Sequence, residues 1–504
     1  MSTCRIHEIE KYEFVEQCSR EALEHDPEGL CLLHSRKSNK DKDGAFTNAV
    51  KDKLLTEDYD FRGVLFPGPF YIRKFTNQEK FTFTKPALFF KASFKEEAHF
   101  TGAIFEKEAY FTGATFKKAY FIDSTFKQMA NFDEVTFRKG AVFPKANFCG
   151  VANFNKTNFN EWANFKEADF AKEATFYSAN FSDASFFMAK FFEKANFLGI
   201  TFNGKADFIG ANFSNETHFS RTKIKGSVIF NWINQPKDEI DKNQQVPLTF
   251  LPWSAVFHYV DIESLGLLSF EDLSLAKVEF AGTDLSRVAF HNVKWRDYRL
   301  RRGLYEEVIV NEQDSGWLQI SCLLDPTAFA LEMGPSLQPV ARATFLQDEF
   351  ARLERLYREL KVNYIAKGDY KQAGDFHFGE MEMYRKGTPE RRWLSWHFLY
   401  WLLSGYGERP LRAIGWLTVL IFCLPLLVFL LGMRSETGGQ VLTGLEGYWQ
   451  TLVFLLEKAA LQRPEWLKPD SGLSRFFIAL SAILIPGQAA LFILALRNRL
   501  GRRR

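Results

Sequence analysis

The chain has 504 residues, room for roughly two to four domains. Its 64 Lys+Arg against 61 Asp+Glu leave +3, which argues against a purely electrostatic nucleic-acid binder, and 46% hydrophobic with 25% charged residues excludes global disorder. The abnormal number is Phe, present 54 times, with 31 of them between Phe81 and Phe230.

The chain begins Met1-Ser2-Thr3-Cys4-Arg5 with no basic-then-apolar leader, so the N-terminus is expected to stay on the side of synthesis. Six Cys, widely scattered, do not make a disulfide framework and point to a reducing compartment. Three of them form Cys4-x13-Cys18-x12-Cys31-x2-His34. Cys31 and His34 have a spacing at which one turn offers both side chains to a metal, and three Cys with one His is a known structural zinc set. His7 and His25 are reserve ligands. The other reading is three free thiols in a helical cap. Four protein ligands leave no open position, so a metal here is structural.

From Phe89 to Phe230 there are 27 repeat centres, of which 26 are Phe and one is Ile224. The step mostly alternates between five and six residues, and a small residue, usually Ala, stands two before each centre (Ala87, Ala92, Ala98, Ala103). Eleven residues is also the period of a hendecad coiled coil. Phe residues five apart, however, stand about 140° apart on a helix and share no stripe. Thr, Asn and Gly within the units disfavour a long helix as well. A β-solenoid satisfies the pattern. Positions i−2 and i share one face of a short strand, so Ala and Phe point inward, while the polar residues between turn a corner. Four faces close one coil, and the 27 units give six to seven coils, a rod of roughly 30 Å at about 4.8 Å per coil.

These A-(N/D/T)-F units resemble pentapeptide-repeat proteins, and the resemblance implies a right-handed quadrilateral β-helix. A second run, Phe270, Leu275, Phe280, Leu285, Phe290 and Trp295, keeps a strict five-residue step and reads as the same solenoid resuming after an insertion at about 231–267. The resemblance covers roughly 87–298, so 1–80 reads as an N-terminal cap and 81–300 as the β-helix domain. The start of the chain is similar to many members too, with a Cys-rich stretch, a C-x-x-H element, and Asp60-Phe61-Arg62-Gly63-Val64-Leu65-Phe66-Pro67 leading into the repeats. Some members mimic DNA with a strongly acidic rod. Here 18 Lys+Arg face 15 Asp+Glu between Ala87 and Phe230, so mimicry is not expected.

Beyond a linker at 301–342 the period changes. Phe350, Leu353, Leu356, Leu360 and Tyr364 mark one amphipathic helix, and Ala373, Phe376, Glu380, Met383 and Tyr384 a second. Lys367-Gly368-Asp369 between them is a helix stop followed by an N-cap. This hairpin, 343–392, resembles a single tetratricopeptide-type unit, and its G-D-Y-x-x-A-G-D-F is similar to a connector in membrane-bound pentapeptide-repeat proteins. His377 and Glu380, one turn apart, read as surface polar residues rather than metal ligands.

The last segment, 393–504, reads as a membrane domain with spans at about 412–432 and 476–496, the second interrupted by Pro486-Gly487-Gln488 and expected to kink there. Trp393–Trp401 suits the membrane interface. Arg391, Arg392, Arg409 and Arg412 precede the first span and Arg497, Arg499, Arg502, Arg503 and Arg504 follow the second. The positive-inside rule then places both termini, and the solenoid, in the cytoplasm. Leu445–Glu457 between the spans is a short amphipathic helix, and span–helix–span is the order of a two-transmembrane potassium-channel subunit. No Gly-Tyr-Gly ladder follows it, so a pore at 445–466 would have another selectivity. Glu457 and Glu465 are then the candidate charged rings and Gln488 a candidate lining residue. A hairpin anchor is the plainer alternative.

With no P-loop, dinucleotide fingerprint, nucleophile elbow or H-E-x-x-H, an enzyme is not expected. The first functional reading is a membrane-anchored scaffold or sensor that offers a cytosolic β-helix to a protein partner. The alternative is an oligomeric ion channel or channel-like effector. The resemblance implies a multi-pass protein of the bacterial inner membrane, and nucleic acid is not an expected partner.

Overall fold

The computed structural model describes residues 3–6, 18–24, 26–37, 39–41, 43–76, 80–231, 255–299, 301–314, 339–387, 395–436 and 439–500. They form two units, Met1–Asp297 with Leu304–Glu306, and Tyr298–Gly303 with Glu307–Arg504.

The first unit is a β-solenoid of about eight turns. Its ladders are parallel throughout, in sheets of 14, nine and seven strands among the described residues. Two ladder runs belong to the largest sheet. One passes through Phe94, Phe116, Phe137 and Phe159, and the other through Ala98, Ala119, Ala141 and Ala163. The other two sheets supply one run each, through Ala87 and Ala109, and through Phe83 and Phe105.

The alternation of five and six has a backbone cause. After Phe89, Phe100, Phe111 and Phe121 the chain turns with positive φ two residues on, at Lys91, Gly102, Gly113 and Asp123. The Ala92 amide donates to the Phe89 carbonyl at 3.0 Å and Ala103 to Phe100 at 3.0 Å, so each is a four-residue turn with a left-handed third position, as in type II. That turn uses five residues. One six-residue step runs through the corner of the long strand Ser93–His99, where the register shifts between Phe94 and Glu97, and the other joins Phe105 to Phe111. The next coil spends only five residues at this corner, from Phe116 to Phe121, and the ladder absorbs the difference as a bulge.

The interior is four columns of rings. One column stacks Phe89, Phe111, Phe132, Phe154, Phe176, Phe197 and Phe219, with centroids 4.7–5.0 Å apart. A second passes through Phe100, Phe121, Phe143 and Phe165, each pair 4.9 Å apart. These two columns meet edge to face across the axis, as in Phe111 on Phe121 at 5.4 Å. The remaining columns run through Phe94, Phe116 and Phe137, and through Phe83, Phe105 and Phe126. Ala87, Ala92, Ala98 and Ala103 are fully buried beside them, and a larger side chain there would occupy the space the rings fill. Ile224 keeps its place in the ladder between Phe202 and Ile262.

Two boundaries differ from the sequence reading. The columns already contain Phe61, Phe66 and Phe70, stacked or tilted on Phe89, Phe94 and Phe100, so the solenoid begins inside the segment assigned to the cap, 1–80. Gly63, with φ 64°, sits at the left-handed position of that first turn. The insertion is shorter than 231–267, because Ala255–Val256 pairs with Thr217–His218 and Phe257 stacks on Phe219 at 4.9 Å. Residues 232–254 lie outside the described set. In the cap, α1 (Ala45–Leu55) buries Phe46, Val50 and Leu54, and a short α2 (Ile72–Thr76) follows the first coil.

The last coil is closed by a side chain. In every earlier coil the amide of the first-column Phe donates to a carbonyl of the next coil, Phe219 to Val256 and Phe257 to Glu279. Among the described residues no further coil offers Phe280 a carbonyl, and its amide donates to the Glu306 carboxyl instead. Glu306 is 1% exposed, and His258 Nε2 lies 3.0 Å from the equally buried Glu279. Burial, with added repulsion from Glu216, pushes Glu279 up to about 8, and burial with repulsion from Glu279 pushes Glu306 up to about 7. The folded chain therefore holds protons that the unfolded chain releases near pH 4.5. Stability from these groups is present below that pH and is lost as pH rises toward about 8. Thermal denaturation of the wild type should accordingly show a falling midpoint across this window, and Glu279→Gln should flatten part of the fall. An unchanged slope in the variant would refute the assignment.

The second unit is helical. It holds most of α3 (Tyr305–Asp314), which lies inside the stretch read as a linker, and then α4 (Pro339–Ala366) and α5 (Tyr370–Lys386) as an antiparallel hairpin. Its corner follows from sequence. Gly368, at φ 75°, donates to Ile365 and Asp369 to Tyr364, a Schellman closure, and the Asp369 side chain then caps α5 through the Gln372 amide. Next come α6 (Trp396–Ser404), α7 (Pro410–Leu430), α8 (Gly444–Ala459) and α9 (Gly472–Leu500). Helices α7 and α9 are long and apolar enough to cross a membrane. Helix α9 runs on through Pro486 rather than ending there. A two-stranded hairpin, Met433–Ser435 with Leu467–Pro469, ties the end of α7 to the start of α9. Val428, Met433, Phe454, Leu455 and Leu467 form the core beneath it.

Candidate functional site

The four predicted metal ligands, 30 residues apart at the extremes, converge in the cap. An antiparallel bridge from Thr3 to Glu21, with the Cys4 amide donating to Arg20, brings Cys4 toward Cys18. Asp26 organises the following loop, accepting from the Glu28 and Leu30 amides and from Ser35 Oγ. The Cys31 carbonyl accepts from the amides of His34 and Ser35, which curls Cys31-x2-His34 into one turn.

The donor atoms all lie within 4.8 Å of one another. Cys18 Sγ is 3.9 Å from Cys31 Sγ, and His34 Nδ1 is 3.4 Å from Cys4 Sγ and 3.3 Å from Cys31 Sγ. A tetrahedral ion with metal–sulfur bonds of about 2.3 Å and metal–nitrogen of about 2.0 Å separates two sulfurs by about 3.8 Å and sulfur from nitrogen by about 3.5 Å. The cluster fits that figure and can hold a metal ion. His34 Nε2 lies 3.0 Å from the Arg62 carbonyl, which can only accept; the ring proton sits there and Nδ1 faces the thiols. Burial opposes a charge on His34, but hydrogen bonding and charge from Cys31 and Cys4 push it up to about 9. Hydrogen bonding from Cys31 lowers the Cys18 thiol, while the same pair and burial raise Cys31. Buried Lys40 lies over the Phe46 ring at 4.4 Å and donates to the Leu33 carbonyl; burial brings it down to about 7. Its role beside the thiols was not legible in the sequence. His7 and His25 lie outside the described residues.

The three pore candidates have separate surroundings. Glu457 accepts from Trp466 Nε1 at 2.9 Å, and Glu465 is exposed at the rim of a cavity beside α8 and α9. Gln488 is buried, and its Nε2 donates to the carbonyls of Leu403 at 3.0 Å and Ala413 at 2.8 Å, joining α9 to α6 and α7. In the single chain it thus clamps the three helices together. Glu380 accepts from Arg358 and Lys361; although burial works against its charge, these bonds and His377 hold the carboxyl down to about 2. That leaves no free carboxylate there for a metal.

One network in the second unit was missed. Arg301, 5% exposed, pairs with buried Glu307, which also accepts from Tyr357, and the guanidinium lies 5.2 Å from the Tyr357 ring. Gly379 makes room for that ring, since a Cβ there would stand 2.7 Å from it. Further along α5, Arg385 pairs with Glu382, which accepts from Tyr406 at 3.0 Å. Arg385 and Arg412 both lie over Trp401, at 5.2 and 5.0 Å. The hairpin is thereby pinned through buried charge to the segment that leads into α7.

The class the fold defines, a Phe-cored β-solenoid, agrees with a comparison against known families. Residues 107–150 match the family model described as pentapeptide repeats (9 copies). Within those residues the solenoid is built from units that match pentapeptide repeats. No curated protein and no solved structure matches the chain.

Proposed function

We propose that the protein is a membrane-anchored scaffold or sensor of the bacterial inner membrane. Its β-helix, right-handed and quadrilateral, is presented in the cytoplasm for a protein partner, and its cap is held by a structural zinc ion on Cys4, Cys18, Cys31 and His34. The observation that carries this reading is the joining, in one chain, of a solenoid whose interior is entirely side-chain packing to two helices long and apolar enough to span a bilayer. Along those helices Leu411, Phe422, Leu426 and Leu430 of α7, and Phe476, Ile483 and Ile493 of α9, are exposed and apolar, which suits lipid. The anchor is tested on membranes washed with alkaline carbonate. The full chain should stay in the pellet and a chain ending at residue 392 should be released; retention of the shortened chain would refute the anchor.

A second reading, an oligomeric channel, has one observation in its favour. Helix α8 packs against both α7 and α9 and still leaves Leu445, Trp449 and Val453 exposed on its outer side. Oligomeric state in detergent separates the two, a monomer favouring the scaffold and a tetramer the pore.

A further inference from the structure

A cavity of about 650 Å³ opens between the C-terminal end of α8, the 464–469 segment and the first turns of α9. Its lining is both apolar, with Phe454, Ala479 and Ala482, and charged, with Lys458, Glu465 and Arg475. On α9 the sequence is uncharged from Phe476 to Leu496, so Arg475 marks the edge of the apolar segment. From Arg475 to Ala482 the helix advances about 10 Å, which runs from the charged rim into the apolar stretch. The two alanines leave a shallow track on that face.

The charges are unevenly satisfied. Lys468 is paired with Glu436 at 2.7 Å. Among the described residues, Lys458, Arg475 and Glu465 have no ion-pair partner; Lys458 lies only over the Phe454 ring, at 5.7 Å. Lys458 and Arg475, with the Glu465 carboxylate that also acts on Lys468, stand beside Phe454, Ala479 and Ala482 and complement an amphiphile that carries a phosphodiester, a nitrogen cation and a hydrocarbon chain. We propose that this cavity binds a phospholipid with a primary-ammonium headgroup, Lys458 and Arg475 taking the phosphate, Glu465 accepting from the ammonium, and the chain lying along Ala479 and Ala482. Glu465 selects the primary amine because a trimethylated nitrogen has no N–H to donate. The inference rests on the reading of α7 and α9 as membrane spans.

The test uses the full chain in neutral detergent, with its thermal midpoint followed on addition of phosphatidylethanolamine, phosphatidylcholine or tail-free glycerophosphoethanolamine. Phosphatidylethanolamine should raise the midpoint by several degrees, phosphatidylcholine by less than half as much, and the tail-free headgroup not at all. E465L should bring the two lipids level, and the double variant K458Q/R475Q should respond to neither, with its lipid-free midpoint unchanged. Equal responses to the two lipids in the wild type, a full response to the tail-free headgroup, or an undiminished response in the double variant would each overturn the proposal. Carbonate washing separates the two failures. A wild type released by carbonate removes the membrane reading itself, whereas a retained wild type with no lipid preference removes only the cavity's ligand.

Discussion

Phe165→Ala is expected to destabilise the solenoid by about 3–5 kcal/mol. The ring is fully buried, stacked between Phe143 at 4.9 Å and Phe186 at 5.0 Å, with edges of Phe154 and Phe176 against it at 5.3 and 5.7 Å. Truncation deletes a whole aromatic side chain from a site whose neighbours are fixed by ladders above and below, so the cavity cannot collapse. Coils contact mainly their nearest neighbours, so the loss should be local, and amide hydrogen exchange in 137–191 should accelerate more than exchange in the cap or in α4 and α5. Phe192→Ala is the matched control, because that ring is 48% exposed, and it should change stability by less than about 0.5 kcal/mol. Equal effects from the two substitutions would mean that the columns do not carry the fold.

The second large effect is expected from the cap. Purified protein should contain about one equivalent of zinc. Cys31→Ser, or stripping with a strong chelator, should remove it and lower the thermal midpoint. Zinc binding in small structural sites is worth on the order of 10 kcal/mol, much of it spent on ordering the ligands. Among the described residues the other ties in the cap are short-range ones such as the Asp26 loop, the Thr3–Glu21 bridge and the Leu33 carbonyl contacts, with α1 beside them. Exchange protection near 18–37 should therefore fall first, before the solenoid responds. Cys423→Ser provides the control, as that thiol is exposed on α7 and distant in sequence from the cluster. A Cys31→Ser protein with undiminished zinc and midpoint would return the cap to three free thiols.

Much of the solenoid could be read from the chain because its rule is local. Ala at i−2 and Phe at i mark one inward-facing strand pair, and that phase repeats without reference to any distant residue. The start was harder to see, since Phe61, Phe66 and Phe70 stand among Gly63, Pro67, Gly68 and Pro69 rather than in A-x-F units, and only the ring stacking reveals them as first members of the columns. The resumption at Ala255 was hidden because Ala255-Val256-Phe257, although an A-x-F unit, is followed by Val260 and Ile262 where Ala and Phe stand in most coils. Cys31-x2-His34 was visible as a turn, and Cys4 and Cys18 followed from composition; Lys40 did not, because a lone lysine reads as solvated surface. The same bias concealed Arg301, Glu307 and Arg385. Charged residues in a sequence carry no mark of burial, and only the meeting of segments more than 50 residues apart, Arg301 with Tyr357, shows that these are inside.

Glu306 has a consequence for assembly. A β-solenoid is a template for its own extension, since each coil offers the next a set of backbone groups in register. The exposed end of such a rod is in effect a growing polymer tip, able to accept a strand from another copy. At the Phe280 amide the acceptor of that next strand is already supplied from within the chain, by a carboxylate rather than a carbonyl. A side-chain carboxyl at this position brings no backbone amide with which to continue the ladder. At Phe280 the rod therefore presents an amide already taken, which no strand of another copy can use.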